Sequence, residues 1–311
     1  MKVISTAPTR ISLFGSGTDT EPFASTYGGM CINLAINIRQ HITLWENMTV
    51  AEYPQGATPA FYYKILEEFG MDYDRWGFKS AFDVDIQTGL GSSASAAVAL
   101  VGAIAKAKGL EMTRQEIAEK AWDIEVNKLG MFGGRQDQYA ASFGGMNIIT
   151  FRSEVNITPI DRYIADNIAN NLLLFDTGLR RTQPKLQENL KTLSVESINA
   201  LESIKDIALT AVENLEDIDA LAKLLKESWE FKKKSNKVST PQIDEIYDEV
   251  IKAGALGGKL NGSGGGGCMT FIVKKDKQSQ VIKKLTKMGC KHLDFSIDYN
   301  GLSVRKKIRV G

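Results

Sequence analysis

The sequence predicts an α+β protein of two domains, and three observations carry that reading. The chain has 311 residues, longer than most single hydrophobic cores. Its first half is rich in β-branched, strand-like runs and glycine turns. Its second half is dominated by helical periodicity, so the elements do not alternate as a βαβ array. The change of character falls between residues 155 and 172, giving domains of residues 1–165 and 166–311.

The elements follow in order. Residues 2–14 and 30–46 alternate with β-branched side chains and read as strands. PAFYYKILEEF (59–69) reads as a helix, and FDVDIQT (82–88) as a strand running into glycines. From Ser92 to Lys108 the chain is Ala-rich with weak polarity, which predicts a largely buried helix. Thr113 with Glu116 forms a capping box that opens a helix ending near Gly130. MNIITF (146–151) and NLLLFD (171–176) read as strands, and helical periodicity runs from 184 to 256. Within it, Thr240 is a cap followed by proline at the first helical position. FIVKK (271–275) and two short runs within 293–309 are strand candidates, with a helix at 277–288.

Composition excludes several functions. With 38 Lys plus Arg against 37 Asp plus Glu, no charge surplus points to nucleic acid. No apolar run is long enough for a bilayer, and MKVISTAPTRISLFG lacks a signal-peptide core, so no membrane partner is expected. Cys31, Cys268 and Cys290 lie far apart without a C-x-x-C, which suits a reducing compartment, the cytoplasm. His41 and His292 lack a second metal-type ligand at helical spacing, which argues against zinc.

Three glycine regions carry the chemistry. In QTGLGSSASAAVAL (87–100), Gly89, Gly91 and Ala94 satisfy G-x-G-x-x-A. A glycine turn entering a helix presents the amides of Gly89, Leu90, Gly91, Ser92, Ser93 and Ala94 to a phosphate. A dinucleotide site would need an acid about 20 positions on, after a strand. Glu111 is the near candidate, and it lies between two helices. A Walker loop is excluded, because no Gly-Lys-Ser/Thr follows. Phosphate binding, a structural turn and, least favoured, dinucleotide binding all remain open.

The second region is KLNGSGGGGCMTFIV (259–273), with Gly262, Gly264, Gly265 and Gly266. Consecutive glycines entering an apolar strand forfeit backbone entropy, so a close backbone approach must compensate. The third is APTRISLFGSGTD (7–19), with Arg10 in a strand and Asp19 after a turn, as a site residue or an Asx cap.

Two further carboxylates stand out. Glu125 is seven positions from Ala118 and four from Ala121, on the small apolar side of its helix. Buried there, it needs a magnesium ion or a structural Arg or Lys. Asp137 lies in GGRQDQYAASFGG (133–145), where a loop between glycine pairs can hold a carboxylate in a site. Lys232 and Lys233 read as a solvated helix end, with phosphate binding as the alternative.

Taken in order, APTRISLFGSGTD, TGLGSSAS and KLNGSGGGGC resemble the three motifs of the GHMP small-molecule kinases, across nearly the whole chain. This superfamily includes galactokinase and homoserine, mevalonate and phosphomevalonate kinases. GSGTD followed by YGG, GRQDQYAASFGG, LLLFDTGLRRT and KESWEFKKK with PQIDEIYDEV are similar to its D-glycero-D-manno-heptose 7-phosphate 1-kinase branch. Galactokinases carry Glu-His where this chain has Ser16-Gly17. Lys226 replaces a usual His and Cys268 a frequent aromatic, which leaves the exact sugar open.

The resemblance implies the two-domain GHMP kinase fold, an S5 domain 2-like N-terminal domain plus a ferredoxin-like C-terminal one. It implies a cytoplasmic kinase that takes ATP and Mg²⁺ and phosphorylates the anomeric hydroxyl of heptose 7-phosphate, giving the 1,7-bisphosphate. Asp137 and Arg10 would be catalytic, Gly89 to Ala94 would wrap the ATP phosphates, and Ser93 and Glu125 would hold the metal. Gly262, Gly264, Gly265 and Gly266 would form the third motif. Gly17, Thr18, Asp19, Gly134 and Arg181 would meet the substrate. With Arg10 beside it, Asp137 would orient and polarise the acceptor hydroxyl rather than act as a strong base. The alternatives are a 1-kinase for L-fucose or an unphosphorylated heptose, an ATP- or sugar-binding regulator, and a mevalonate-type decarboxylase. The oligomeric state stays open.

Overall fold

A computed structural model describes residues 1–85, 88–180, 193–236 and 238–307. The order is β1 (Lys2–Phe14), α1 (Phe23–Tyr27), β2 (Gly29–Glu46), β3 (Ala51–Glu52), α2 (Pro59–Glu68), β4 (Trp76–Phe82) and α3 (Ser92–Lys108). Next come α4 (Arg114–Asp123), continued by a π-helical turn Ile124–Lys128, then α5 (Gln136–Phe143), β5 (Met146–Phe151), β6 (Val155–Pro159) and α6 (Arg162–Asn170). The remainder is β7 (Leu172–Asp176), α7 (Val195–Glu213), α8 (Ile218–Asn236), α9 (Pro241–Lys252), β8 (Gly257–Leu260), β9 (Cys268–Ile272), α10 (Lys275–Lys287), β10 (Lys291–Leu293) and β11 (Ser303–Lys307).

The larger sheet runs β11-β1-β2-β4-β3, with β5 on β2 and β6 on β5. Strand β2 is long enough to pair with β5 through Gly29–Leu34 and with β4 through Gln40–Glu46. Helix α3 lies in a core with β1 and β2 side chains such as Val3, Ala7, Ile42 and Leu44. Every residue from Ala94 to Ala105 is buried, which its small side chains permit through close backbone packing.

The smaller sheet runs β10-β7-β9-β8, all antiparallel. Its chain order, strand–helices–strand–strand–helix–strand, is the split βαβ arrangement of a ferredoxin-like unit. One core joins the two sheets: Ile11, Phe14 and Ile32 share it with Leu172, Leu174, Leu225 and Cys268. The last strand, β11, returns to pair with β1.

The Thr113 capping box, the Thr240 cap and the limits of α3 follow the sequence expectation. Of the strand expected at 82–88, Phe82 alone among the described residues is in a strand, the end of β4, and residues 86–87 lie outside the described residues. Asp83 turns the chain out of the sheet, accepting hydrogen bonds from the Arg39 amide (2.7 Å) and meeting His41 Nε2 (2.8 Å). Strand β9 covers Cys268–Ile272, earlier than the expected 271–275, because the glycine run feeds directly into it. Asp137 stands in the first turn of a helix, α5, and not in a loop. Among the described residues, no helix is long and apolar enough to cross a membrane.

Candidate active site

Strand β1 carries Arg10 into the interior, where the side chain is almost fully buried. Its Nε and Nη2 donate to Asp137 Oδ1 and Oδ2, each at 2.6 Å, and its Nη1 donates to the Gly89 carbonyl at 2.8 Å. A guanidinium stays charged at any working pH, so its burial requires this bidentate partner. Gly91 explains itself here. A Cβ on it would lie 3.0 Å from Asp137 Oδ2 and 3.3 Å from Arg10 Cζ. The second glycine motif is also tied to β1 by the backbone, Arg10 N donating to Leu90 O at 3.0 Å.

Gly91 precedes the first turn of α3, and no side chain caps that end. Ser95 N bonds back to Gly91 O, so the amides of Ser92, Ser93 and Ala94 are the helix's terminal donors. A 17-residue helix ends its dipole there, next to the Arg10–Asp137 pair. The arrangement suits an anion such as a phosphate.

The glycine run of KLNGSGGGGC (259–268) packs backbone to backbone on this turn. A Cβ on Gly89 would fall 2.7 Å from Asn261 O, and one on Gly262 would fall 2.8 Å from Gly89 Cα. Cys268 N donates to Thr88 O at 2.7 Å, Gly267 N to Leu179 O at 2.9 Å, and Gly265 N to Val238 O at 2.8 Å. Gly264 and Gly266 lie against Val238 and Leu179. These approaches offset the entropy that four glycines forfeit.

Glu125 sits in the π-helical turn with 4% of its surface exposed. Gln138 Nε2 donates to its Oε2 at 2.7 Å. Burial pushes its pKa up to about 7, against the downward pull of hydrogen bonds from Gln138 and Ser93 and with a further push from Asp137. Ser93 and Glu125 are thus brought together, as expected. Among the described residues Glu125 forms no ion pair, which disfavours the structural Arg or Lys alternative. The pair supplies only oxygen donors, which fits a hard divalent cation that keeps several waters. No cluster of three or more His, Cys, Asp or Glu side chains suited to a metal occurs among the described residues.

On the other side of Asp137, buried Asp19 accepts from Gly17 N (3.2 Å), Gln136 Nε2 (3.1 Å) and Gln136 N (3.1 Å). Burial, and then Asp137, raise its pKa. Gly134 must be glycine for lack of room: a Cβ would lie 1.9 Å from Asp19 Oδ2. Gly17 faces Leu201 of α7. The Thr18 hydroxyl is engaged within its turn, 2.8 Å from Gly15 O and 3.0 Å from Met30 O. Arg181 lies outside the described residues.

Lys232 overturns the reading of a solvated helix end. It is 6% exposed, and its Nζ donates to Gly262 O at 2.7 Å. Burial and then Arg10 push its pKa down to about 8, while Asp19 and Asp137 pull it up. The neighbouring Lys233 pairs with Glu230 at 2.9 Å and lies over the Trp229 ring. Fully buried Lys259, with Nζ 3.1 Å from Leu13 O, and the glutamines flanking Asp137 were also missed. For Lys232 a signal existed: it follows Trp229 by three positions, on one helix face.

Known proteins resemble this chain along nearly its whole length. Residues 59–145 match the GHMP kinases N terminal domain, and residues 208–289 match GHMP kinases C terminal. A D-glycero-alpha-D-manno-heptose 7-phosphate kinase of Campylobacter jejuni is 32% identical, over 97% of this chain and 98% of its own. A mevalonate kinase of Thermococcus gammatolerans is 26% identical over 99% of this chain and 100% of its own. The crystal structure of a D-glycero-D-manno-heptose 1-phosphate kinase from Bacteroides thetaiotaomicron superposes with a TM-score of 0.80 at 25% identity, covering 98% of this chain and 99% of that one. With all three motifs gathered around one ion pair, the chain belongs to the GHMP kinases, ATP-dependent phosphotransferases with an alcohol group as acceptor.

Proposed function

We propose that this kinase transfers the γ-phosphoryl group of ATP to the anomeric hydroxyl of D-glycero-D-manno-heptose 7-phosphate, giving the 1,7-bisphosphate. The observation that carries the reading is the Arg10–Asp137 pair beside the uncapped start of α3, in a chain 32% identical to a heptose 7-phosphate kinase. The amides of Ser92, Ser93 and Ala94 receive phosphate oxygens at the helix start. Ser93 and Glu125 hold Mg²⁺, which when bound neutralises charge on those oxygens. Asp137, fixed by Arg10, accepts the hydrogen bond of the sugar's anomeric hydroxyl and aims its oxygen at the γ-phosphorus. Asp19, with Gly17, Thr18 and Gly134, forms the wall against the sugar hydroxyls. Phosphoryl transfer needs mainly such positioning and charge neutralisation. Arg181 suits the substrate's own phosphate, because a guanidinium binds phosphate bidentately.

The two heptose kinases named above differ in the phosphate their names place on the sugar. The decisive experiment is therefore a panel: heptose 7-phosphate, heptose 1-phosphate, unphosphorylated heptose, L-fucose and mevalonate, each with MgATP. Phosphorus NMR of the product reads the position phosphorylated. The 7-phosphate should have the highest kcat/KM and give a new anomeric phosphate; preference for an unphosphorylated acceptor would overturn the assignment. Arg181→Ala should weaken the 7-phosphate by about 1.5–3 kcal/mol and leave KM for ATP unchanged. An equal loss toward unphosphorylated heptose would give Arg181 a different role.

A further inference from the structure

Lys232 has no part in the transfer chemistry described above, yet it is buried beside it. On α8 the residues Leu221, Leu225 and Trp229 form a buried stripe, and Lys232 continues that stripe where an apolar side chain would pack. Burying an ammonium is unfavourable unless partners compensate. Its Nζ reaches Gly262 O at 2.7 Å, and Gly262 is the residue of the third motif that touches Gly89 of the second. From the opposite side, Arg10 Nη1 holds the Gly89 carbonyl at 2.8 Å. Two cations therefore grip one glycine-to-glycine contact, and that contact sets where the first turn of α3 points.

We propose that Lys232 is a positioning residue for phosphoryl transfer, clamping the third glycine motif against the second and holding its charge beside the Arg10–Asp137 pair. The proposal rests on the kinase reading. The charged and titratable groups facing the Lys232 amine are Arg10 from β1, Asp19 from the following turn, Cys31 from β2, Asp137 from α5 and Lys259 from β8. Burial and Arg10 favour its deprotonation, and Asp19, Asp137 and Cys31 oppose it. Raising the pH through the amine's titration removes the positive charge and weakens the grip on the Gly262 carbonyl.

The test compares wild type, Lys232→Met and Lys232→Arg, methionine keeping the bulk of the buried stem. Lys232→Met should lower kcat by roughly 10²-fold, as expected for loss of a preorganised charge. Wild-type kcat should fall on the alkaline side; the Met variant should lose that limb, and the Arg variant should recover much of the rate and shift the limb upward. Calorimetric MgATP binding at about pH 7 and about pH 9.5 gives a readout independent of the acceptor. Wild type should bind more weakly at the higher pH, and the Met variant weakly at both. A Met variant that keeps the wild-type pH profile and MgATP affinity, changing only Tm, overturns the proposal. Wild type that shows this binding behaviour but phosphorylates no sugar on the panel instead overturns the kinase assignment, leaving the clamp in place.

Discussion

Two carboxylates, half-buried Asp137 and buried Glu125, stand close enough for one to raise the other's proton affinity, yet they are held in opposite ways. Both oxygens of Asp137 face a permanent cation at 2.6 Å. Among the described residues Glu125 meets neutral donors, Gln138 at 2.7 Å and the Ser93 hydroxyl. A guanidinium sets its carboxylate's orientation through two charge-assisted hydrogen bonds, whereas amide and hydroxyl groups leave a carboxylate without a counter-charge. The Arg10–Asp137 end is therefore charge-paired within the protein, whereas Glu125 is not, and in the proposed reading a cation that arrives with ATP would complete it.

Removing the fixed anion should have the largest effect. Asp137→Asn keeps the shape but deprives Arg10 of its counter-charge and the acceptor hydroxyl of its carboxylate. Turnover should drop by about 10² to 10⁴, the usual worth of a positioned acid–base group, while MgATP still binds. Steady-state rates with calorimetric MgATP titration check both halves. Turnover within a few-fold of wild type would remove Asp137 from the reaction.

A smaller effect should follow from disturbing the sugar side. In Gly134→Ala the new methyl would fall 1.9 Å from Asp19 Oδ2 and 2.7 Å from Asp19 O, so the carboxylate or the chain around it must shift. Overpacking of this kind typically amounts to about 1–3 kcal/mol, so KM for the sugar should rise by about tenfold. KM for ATP should stay close to wild type, because the hydrogen bonds of Asp19 go to Gly17 and Gln136 and not to α3. A rise confined to ATP would place Asp19 at the nucleotide.

These contrasts were only partly legible in the sequence. The limits of α3 and the capping box rest on local pattern, and local pattern survives folding. Glycine density announced that backbones approach closely, but not that Gly89 meets Gly262. That pairing is set by the joining of two sheets from distant parts of the chain. Helix α5 was hidden because flanking glycines read as loop punctuation, although QDQYAASF packs six of its eight residues inward. Lys232 was hidden for a different reason. Lysine ordinarily prefers water, and the groups that hold it, Gly262, Asp19 and Asp137, come from distant parts of the chain. Residue patterns brought Glu125 and Asp137 to notice and the family resemblance gave them roles beside Arg10 and Ser93; the fold displays their unequal partners.

The smallest expected effect sharpens the comparison at Glu125. Its folded pKa of about 7 lies above the ordinary 4.5, so the folded chain binds this proton more tightly than the unfolded chain does. The corresponding stability is fully present below the unfolded value and is lost as pH rises through about 7. In chelator, the Glu125 contribution should thus lower Tm across that window, by a few degrees at most. Glu125→Gln carries no titrating proton, so its Tm relative to wild type should climb over the same pH range. Saturating MgATP should reverse the order above pH 7, because the carboxylate then has a cation and the amide does not. The same variant should need more Mg²⁺ for half-maximal rate. Scanning calorimetry at several pH values, with and without MgATP, reads each sign. Parallel Tm curves for the two proteins in chelator, with an unchanged magnesium titration, would make Glu125 an ordinary buried hydrogen-bond acceptor and erase the contrast with Asp137.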